Sequence, residues 1–79
     1  MNKAEQEALQ QKLKGIVSNL PEKPGSYQYY DEEDTIIYVG KAKNLKRRVA
    51  SYFNKEQNRK TSILVSKIRN ITYTVVNTE

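Results

Sequence analysis

The residues of this chain with the clearest chemical potential are two tyrosines, each set in a triplet with a glycine. Tyr27 closes Gly25-Ser26-Tyr27, and Tyr38 opens Tyr38-Val39-Gly40. Lys41 follows at once, and Arg48 and Tyr52 come shortly after at helical spacing. A phenol ordinarily titrates near pH 10, but cations beside it favour the phenolate, which can take a proton from water. A guanidinium can neutralise charge building on a pentacovalent phosphate. Phenols, an ammonium and a guanidinium around one pocket therefore point to cutting a phosphodiester. The chain holds no histidine and no cysteine. That removes the usual general base, the commonest metal ligand, thiolate metal sites and disulfides. Hydrolysis of this kind also calls for a divalent cation held by a carboxylate, and here the sequence runs short. The acidic stretch Asp31–Asp34 lies away from both triplets' glycines, Glu56 sits among basic residues, and Glu79 is the last residue.

The elements that must position these groups follow from the pattern. Residues 4–20 carry Ala4, Ala8, Leu9, Leu13, Ile16, Val17 and Leu20 on one helical face, with Gly15 weakening the end and Pro21 stopping it. Pro24 and Gly25 punctuate a loop. Tyr27–Tyr30 and Ile36–Val39 read as two strands joined by the turn Asp31-Glu32-Glu33-Asp34-Thr35. Asn44 is an N-cap for a helix from Leu45, whose core stripe is Leu45, Val49, Tyr52 and Phe53. Residues 54–60 read as a polar loop. Thr61 or Ser62 is then expected to cap a third helix with Ile63, Leu64 and Ile68 inward. The alternating, β-branched run Ile71–Val76 reads as a third strand. The fold class expected is α+β: a small three-stranded antiparallel sheet flanked by helices, in the order α-β-β-α-α-β.

Pairing Asp31 with Ile36 would set Tyr29 opposite Tyr38 and Tyr27 opposite Gly40. Tyr27 and Tyr38 would then share one face as diagonal neighbours, about 7–8 Å apart at the backbone. A slip of one residue would send them to opposite faces. Gly40 would leave space beside Tyr38 for a ligand or another backbone to approach. Arg48 and Tyr52 are neighbours on the helix surface. Tyrosines in strands are common and pack well, so two on one face mean little alone. Their conjunction with the basic run is what carries the reading.

Charge is unevenly distributed. The net charge is +5, yet residues 1–40 carry −3, residues 41–60 carry +7 and residues 61–79 carry +1. The cations Lys41, Lys43, Lys46, Arg47, Arg48, Arg59 and Lys60 form a candidate DNA-phosphate surface. The acidic turn is expected to point away from bound nucleic acid. No apolar run approaches a membrane span and no signal core opens the chain. The expectation is a bacterial cytoplasmic domain that uses no membrane and no small-molecule cofactor.

The two triplets resemble the signature of the GIY-YIG nuclease superfamily. The continuation from Gly40-Lys41-Ala42-Lys43-Asn44-Leu45 to Ser51-Tyr52-Phe53 is more specific, and it is similar to the N-terminal domain of the UvrC family of bacterial excision-repair nucleases. The tail from Arg59-Lys60-Thr61 to Glu79 is similar as well, so the resemblance covers residues 20–79. It implies an endonuclease domain that cuts damaged double-stranded DNA on the 3′ side of a lesion, with UvrB handing over the DNA and UvrA acting upstream. It implies Tyr27, Tyr38, Lys41, Arg48 and Tyr52 as the catalytic positions, and magnesium or manganese as the metal. Which of Tyr27 and Tyr38 is the base stays open. Ser26 replaces the family's isoleucine or valine in the first triplet. The family's metal-binding glutamate is expected just beyond Glu79, so no metal ligand is assigned within residues 1–79. The chain is accordingly expected to be one GIY-YIG-type domain, with a leading helix in 1–20 and a motif-bearing core in 25–79. It is further expected to be a truncated N-terminal piece of a longer protein that cuts little alone. Two alternatives are a non-catalytic nucleic-acid-binding module of the same fold and another GIY-YIG endonuclease, such as a homing or restriction enzyme.

Overall fold

In the computed structural model, which describes residues 2–53 and 58–76, the central strand is the one that carries Tyr27. The elements are α1 (Lys3–Ser18), β1 (Gly25–Tyr30), β2 (Ile36–Ala42), α2 (Leu45–Tyr52), α3 (Arg59–Lys67) and β3 (Asn70–Val75). The sheet runs β2-β1-β3 and both pairings are antiparallel. The α+β class and the order α-β-β-α-α-β are those read from the sequence.

Three asparagines start the three helices. The Asn2 side chain accepts from the Glu5 amide at 2.8 Å while the Glu5 carboxylate accepts from the Asn2 amide at 3.0 Å, a reciprocal capping box. Asn44 accepts from the Arg47 amide at 3.0 Å, and Asn58 from the Thr61 amide at 2.8 Å. The Asn58 cap corrects the expected start of the third helix. An asparagine caps as well as a threonine or serine and comes first, so α3 begins at Arg59 rather than after Thr61 or Ser62. Arg59 and Lys60 therefore belong to the helix, not to the expected loop. Residues 54–57 of that loop, including Glu56, lie outside the described residues, as does Glu79.

The core is Leu13, Leu20, Tyr27, Tyr29, Leu45, Val49, Ile68 and Ile71. Helix α1 buries a narrower face than its spacing implied, for Ala4 and Ala8 are exposed and Leu9, Ile16 and Val17 only half-buried. Ile63 was expected inward but is 50% exposed; Leu64, Val65 and Ile68 take the inner side of α3 and its exit. Helix α2 holds the expected stripe, with Leu45 and Val49 fully buried and Tyr52 and Phe53 packed against the core. Its first turn is tied to the loop before β1, because the Leu45 amide donates to the Lys23 carbonyl at 2.9 Å and the Lys46 amide to the Pro21 carbonyl at 3.2 Å.

The register decides which face the phenols share. Tyr29 pairs with Tyr38 and Tyr27 with Gly40, as expected. At the tip the expectation fails: Ile36 pairs with Tyr30, not Asp31, and the ladder is irregular between Tyr29 and Tyr30. One extra residue on β2 absorbs the offset, as a bulge does. The turn itself is set by Asp31, whose carboxylate accepts from the amides of Glu33 at 2.9 Å and Thr35 at 3.0 Å. Asp34 takes the left-handed conformation (φ 61°) that aspartate tolerates.

The glycines predict opposite outcomes. A Cβ at Gly25 would press on the Thr74 carbonyl oxygen and lie 2.9 Å from Leu45 Cδ1, whereas one at Gly15 meets nothing within 4 Å. Gly25→Ala is expected to lower stability by about 1–3 kcal/mol. Gly15→Ala, in the interior of α1, is expected to raise it by about 0.5–1 kcal/mol. Urea unfolding of the two variants checks both signs.

Candidate active site

Strand alternation puts Tyr27, Tyr29, Tyr38 and Gly40 on the face that packs against the helices. Tyr52, the last residue of α2, descends onto the same spot. Each of the four tyrosine rings touches the other three, with centroid separations from 5.2 Å for Tyr29–Tyr52 to 6.1 Å for Tyr27–Tyr38. The hydroxyls of Tyr27 and Tyr52 hydrogen bond at 3.1 Å. Tyr27 is 1% exposed and Tyr29 not at all, while Tyr38, on the edge strand, is 38% exposed and forms the outer side of the cluster.

The space over Gly40 was expected to admit a ligand beside Tyr38. It holds the ring of Tyr27 instead. A Cβ at Gly40 would press on the Tyr27 hydroxyl and lie 2.5 Å from its Cζ. Glycine is thus required here because a side chain of the neighbouring strand crosses the backbone.

Arg48, one helical turn before Tyr52 on α2, sits close enough to act electrostatically on all four phenols. Its effect is to favour phenolate, but it is outweighed. Tyr27 is raised above the ordinary phenol value of 10.0, chiefly by burial. Tyr29 is raised far more, again by burial first. Tyr52 is raised by burial and then by its bond with Tyr27. Tyr38 is raised first by its hydrogen bond with Tyr52. Arg48 thus favours the phenolate as expected, but burial and the neighbouring phenols outweigh it. The phenols crowd one another and are withdrawn from water, and both effects favour the neutral form. At neutral pH the cluster is a set of hydrogen-bond donors and acceptors.

The cations divide into two groups. Lys41, Lys43, Arg47 and Arg48 line one open groove with Ala42, Asn44 and Ser51, at the junction of β2 and α2. Lys41 pairs with Ser26, so its backbone position belongs to the sheet face away from the phenols, and its exposed side chain joins Arg48 at the groove from the edge strand. Lys46 is not part of that lining, and Arg59 and Lys60 stand exposed in the first turn of α3, apart from it. Tyr29 was not among the expected site residues. Its signal was present: it lies two residues from Tyr27 on the same strand, and opposite Tyr38 in the register already inferred.

No group of three or more His, Cys, Asp or Glu side chains that could hold a metal ion occurs among the described residues. The phenol oxygens are hard donors suited to a cation such as magnesium, but the acidic turn is at the far tip of the β1–β2 hairpin. The described residues therefore do not make a complete donor set.

Raised phenol pKa values link to stability with a definite sign. A proton held more tightly in the folded state than in the unfolded one stabilises the fold below the unfolded value of 10.0 and ceases to do so as the folded phenols ionise. Stability is therefore expected to be level up to about pH 9 and to fall from about pH 10 upward. Urea unfolding across alkaline pH, with ultraviolet titration of the phenols, checks it. Titration of Tyr27, Tyr38 and Tyr52 at or below the ordinary value would contradict the account.

Comparison with known proteins agrees with this fold. The family model described as the UvrC-like GIY-YIG domain matches residues 23–79. The chain is 75% identical over 68 residues to the UvrABC system protein C of Bacteroides fragilis and 65% identical over 65 residues to that of Porphyromonas gingivalis. These alignments cover 85% and 81% of the chain, but the chain spans only 11% of the length of either relative. Among solved structures it is similar to the GIY-YIG N-terminal endonuclease domain of UvrC from Thermotoga maritima. A point mutant of that domain bound to its catalytic divalent cation matches with a TM-score of 0.77 at 31% identity, covering 86% of this chain and 73% of that one. The magnesium-bound form matches with a TM-score of 0.73 at 32% identity, covering 82% and 71%. On the family match and these identities, the chain belongs to the family of UvrC-like GIY-YIG domains.

Proposed function

We propose that this chain is the nuclease domain of an excision-repair protein and that it cuts the damaged strand of double-stranded DNA on the 3′ side of a lesion. The observation that carries this is the convergence of Tyr27, Tyr38 and Tyr52 beside Arg48, at the end of a groove lined by Lys41, Lys43, Arg47 and Arg48. The groove cations hold the DNA backbone by its phosphates, which positions the strand without reading bases. Arg48 stands between groove and phenols and neutralises charge that develops on the phosphorus oxygens. One of Tyr27 and Tyr38 orients the attacking water by accepting its hydrogen bond, and it takes the water's proton only in its phenolate form, which Arg48 favours against burial and crowding.

The cofactor of the complete domain is magnesium or manganese, in keeping with the cation-bound relatives. When bound, a divalent cation supplies Lewis-acid stabilisation of the phosphate and lowers the pKa of oxygen ligands around it. Its carboxylate comes from residues outside those described. These 79 residues alone are accordingly expected to nick DNA little or not at all. UvrB delivers the damaged DNA, with UvrA upstream, and the work takes place in the bacterial cytoplasm. Among the described residues no helix is long and apolar enough to cross a membrane.

The test uses this sequence continued by the residues that follow in the Bacteroides fragilis relative, assayed for magnesium- or manganese-dependent nicking. Tyr38→Phe is expected to lower the rate about 10²–10⁴-fold, as for loss of a proton-transfer group. Arg48→Ala is expected to lower it about 10²–10³-fold. If both variants nick as the parent does, the catalytic assignment is wrong. If the parent binds DNA and never nicks, the domain is a non-catalytic binding module. Binding is expected to weaken with salt, and Arg47→Ala to reduce the slope of log affinity against log salt by about 1. An unchanged slope would remove Arg47 from the phosphate contacts.

A further inference from the structure

Tyr29 is the one member of the phenol cluster to which neither the motif nor the proposed mechanism gives a task. It is fully buried, and its hydroxyl has no hydrogen-bond partner among the described residues. Its ring nonetheless touches every other ring of the site: Tyr52 edge-on at 5.2 Å and 85°, Tyr27 tilted at 5.3 Å, and Tyr38 stacked at 5.8 Å and 28°. The Tyr29–Tyr52 and Tyr29–Tyr27 separations are the two shortest of the six.

The three neighbours each need such support. Tyr38 stands on the edge strand next to the ladder irregularity, so only β1 flanks it within the sheet. Tyr52 is the last residue of α2, with no further helical turn to hold its ring. Tyr27 crosses Gly40, which offers no side chain to lean on. Tyr29 meets all three from the central strand, and unlike Tyr38 and Tyr52 it is fully buried. A ring edge against one neighbour and a ring face against another are the arrangements that aromatic quadrupoles favour. They fix orientation as well as distance.

We propose that Tyr29 is a positioning residue of the nuclease site. Its ring, not its hydroxyl, sets the orientation of the Tyr38 and Tyr52 phenols. This rests on the nuclease reading given above. An unpaired buried hydroxyl costs stability and gives nothing back, so phenylalanine satisfies the role and a flexible aliphatic side chain does not.

The experiment compares Tyr29→Phe, Tyr29→Met and Tyr29→Leu in the same extended protein, with three readouts. Circular dichroism and thermal unfolding report the fold. Ultraviolet titration reports the phenols, and nicking rate at saturating DNA is set against DNA affinity. Tyr29→Phe is expected to rescue the site: a thermal midpoint equal to or above the parent, phenols that still titrate above the ordinary value, and nicking within about twofold of the parent. Tyr29→Met and Tyr29→Leu are expected to remain folded and to bind DNA within about twofold of the parent. Their nicking rate should fall by about tenfold or more, as misplacement of reacting groups does, and their remaining phenols should titrate closer to the ordinary value. The proposal is overturned if a folded Met or Leu variant keeps both the parent's rate and its phenol titration. It is overturned equally if Tyr29→Phe loses as much rate as they do, since the hydroxyl is then the working group. Failure of both aliphatic variants to fold also counts against it, because the residue then serves the core alone. A parent that never nicks refutes the nuclease reading, and the phenol titration still decides whether Tyr29 orders the cluster.

Discussion

Everything at this site depends on one close approach: the ring of Tyr27 lying across the backbone of Gly40. It requires a register in which those two residues are partners, and that register in turn places Tyr29 against Tyr38. Because side chains alternate between faces, no neighbouring register keeps both pairs. The ladder pays for its offset only after the phenols, between Tyr29 and Tyr30, where the bulge moves the turn and leaves the site undisturbed. Glycine at position 40 is therefore a packing requirement imposed by a tyrosine on another strand. Position 25 has the same logic, with the Thr74 backbone and Leu45 as the opposing surfaces.

Two tendencies oppose each other within the cluster. Burial and mutual crowding hold the phenols neutral, and Arg48 draws them toward ionisation without prevailing. The outcome is a site whose hydroxyls direct protons among themselves while the full positive charges stand at its rim. Separating the two functions is physically reasonable. Cations exposed at a groove can meet phosphate without the desolvation cost of burial, and neutral phenols can be packed into a core that charged groups would destabilise.

Much of this was legible in the residues. The triplets, the N-cap at Asn44 and the β-branched run Ile71–Val76 pointed to the sheet and α2, because glycine, asparagine and alternation act locally. The Tyr29–Tyr38 and Tyr27–Gly40 pairings were inferred correctly from the hairpin. What escaped was set by tertiary packing. The tip of the turn is shaped by the Asp31 side chain and a bulge, neither of which has a period. The start of α3 depended on which of several polar residues caps it, and Ile63 faces outward because a short helix can offer the core only one narrow side. The neutral state of the phenols depends on burial, which no spacing reveals. Tyr29 was visible opposite Tyr38 but was given no role, since a buried strand tyrosine is ordinary until its neighbours are known.

The acidic turn and the basic groove lie at opposite ends of a hairpin whose strands run six or seven residues each, about 20 Å at 3.3 Å per residue. Electrostatic fields in physiological salt decay over about 8 Å. The carboxylates of Asp31–Asp34 are thus too far from the groove to cancel its cations, and the net charge of +5 understates the attraction felt there. The separated poles also exert a torque. A polyanion drawing near turns the molecule groove-first before contact, so orientation is selected during diffusion and not by trial at the surface.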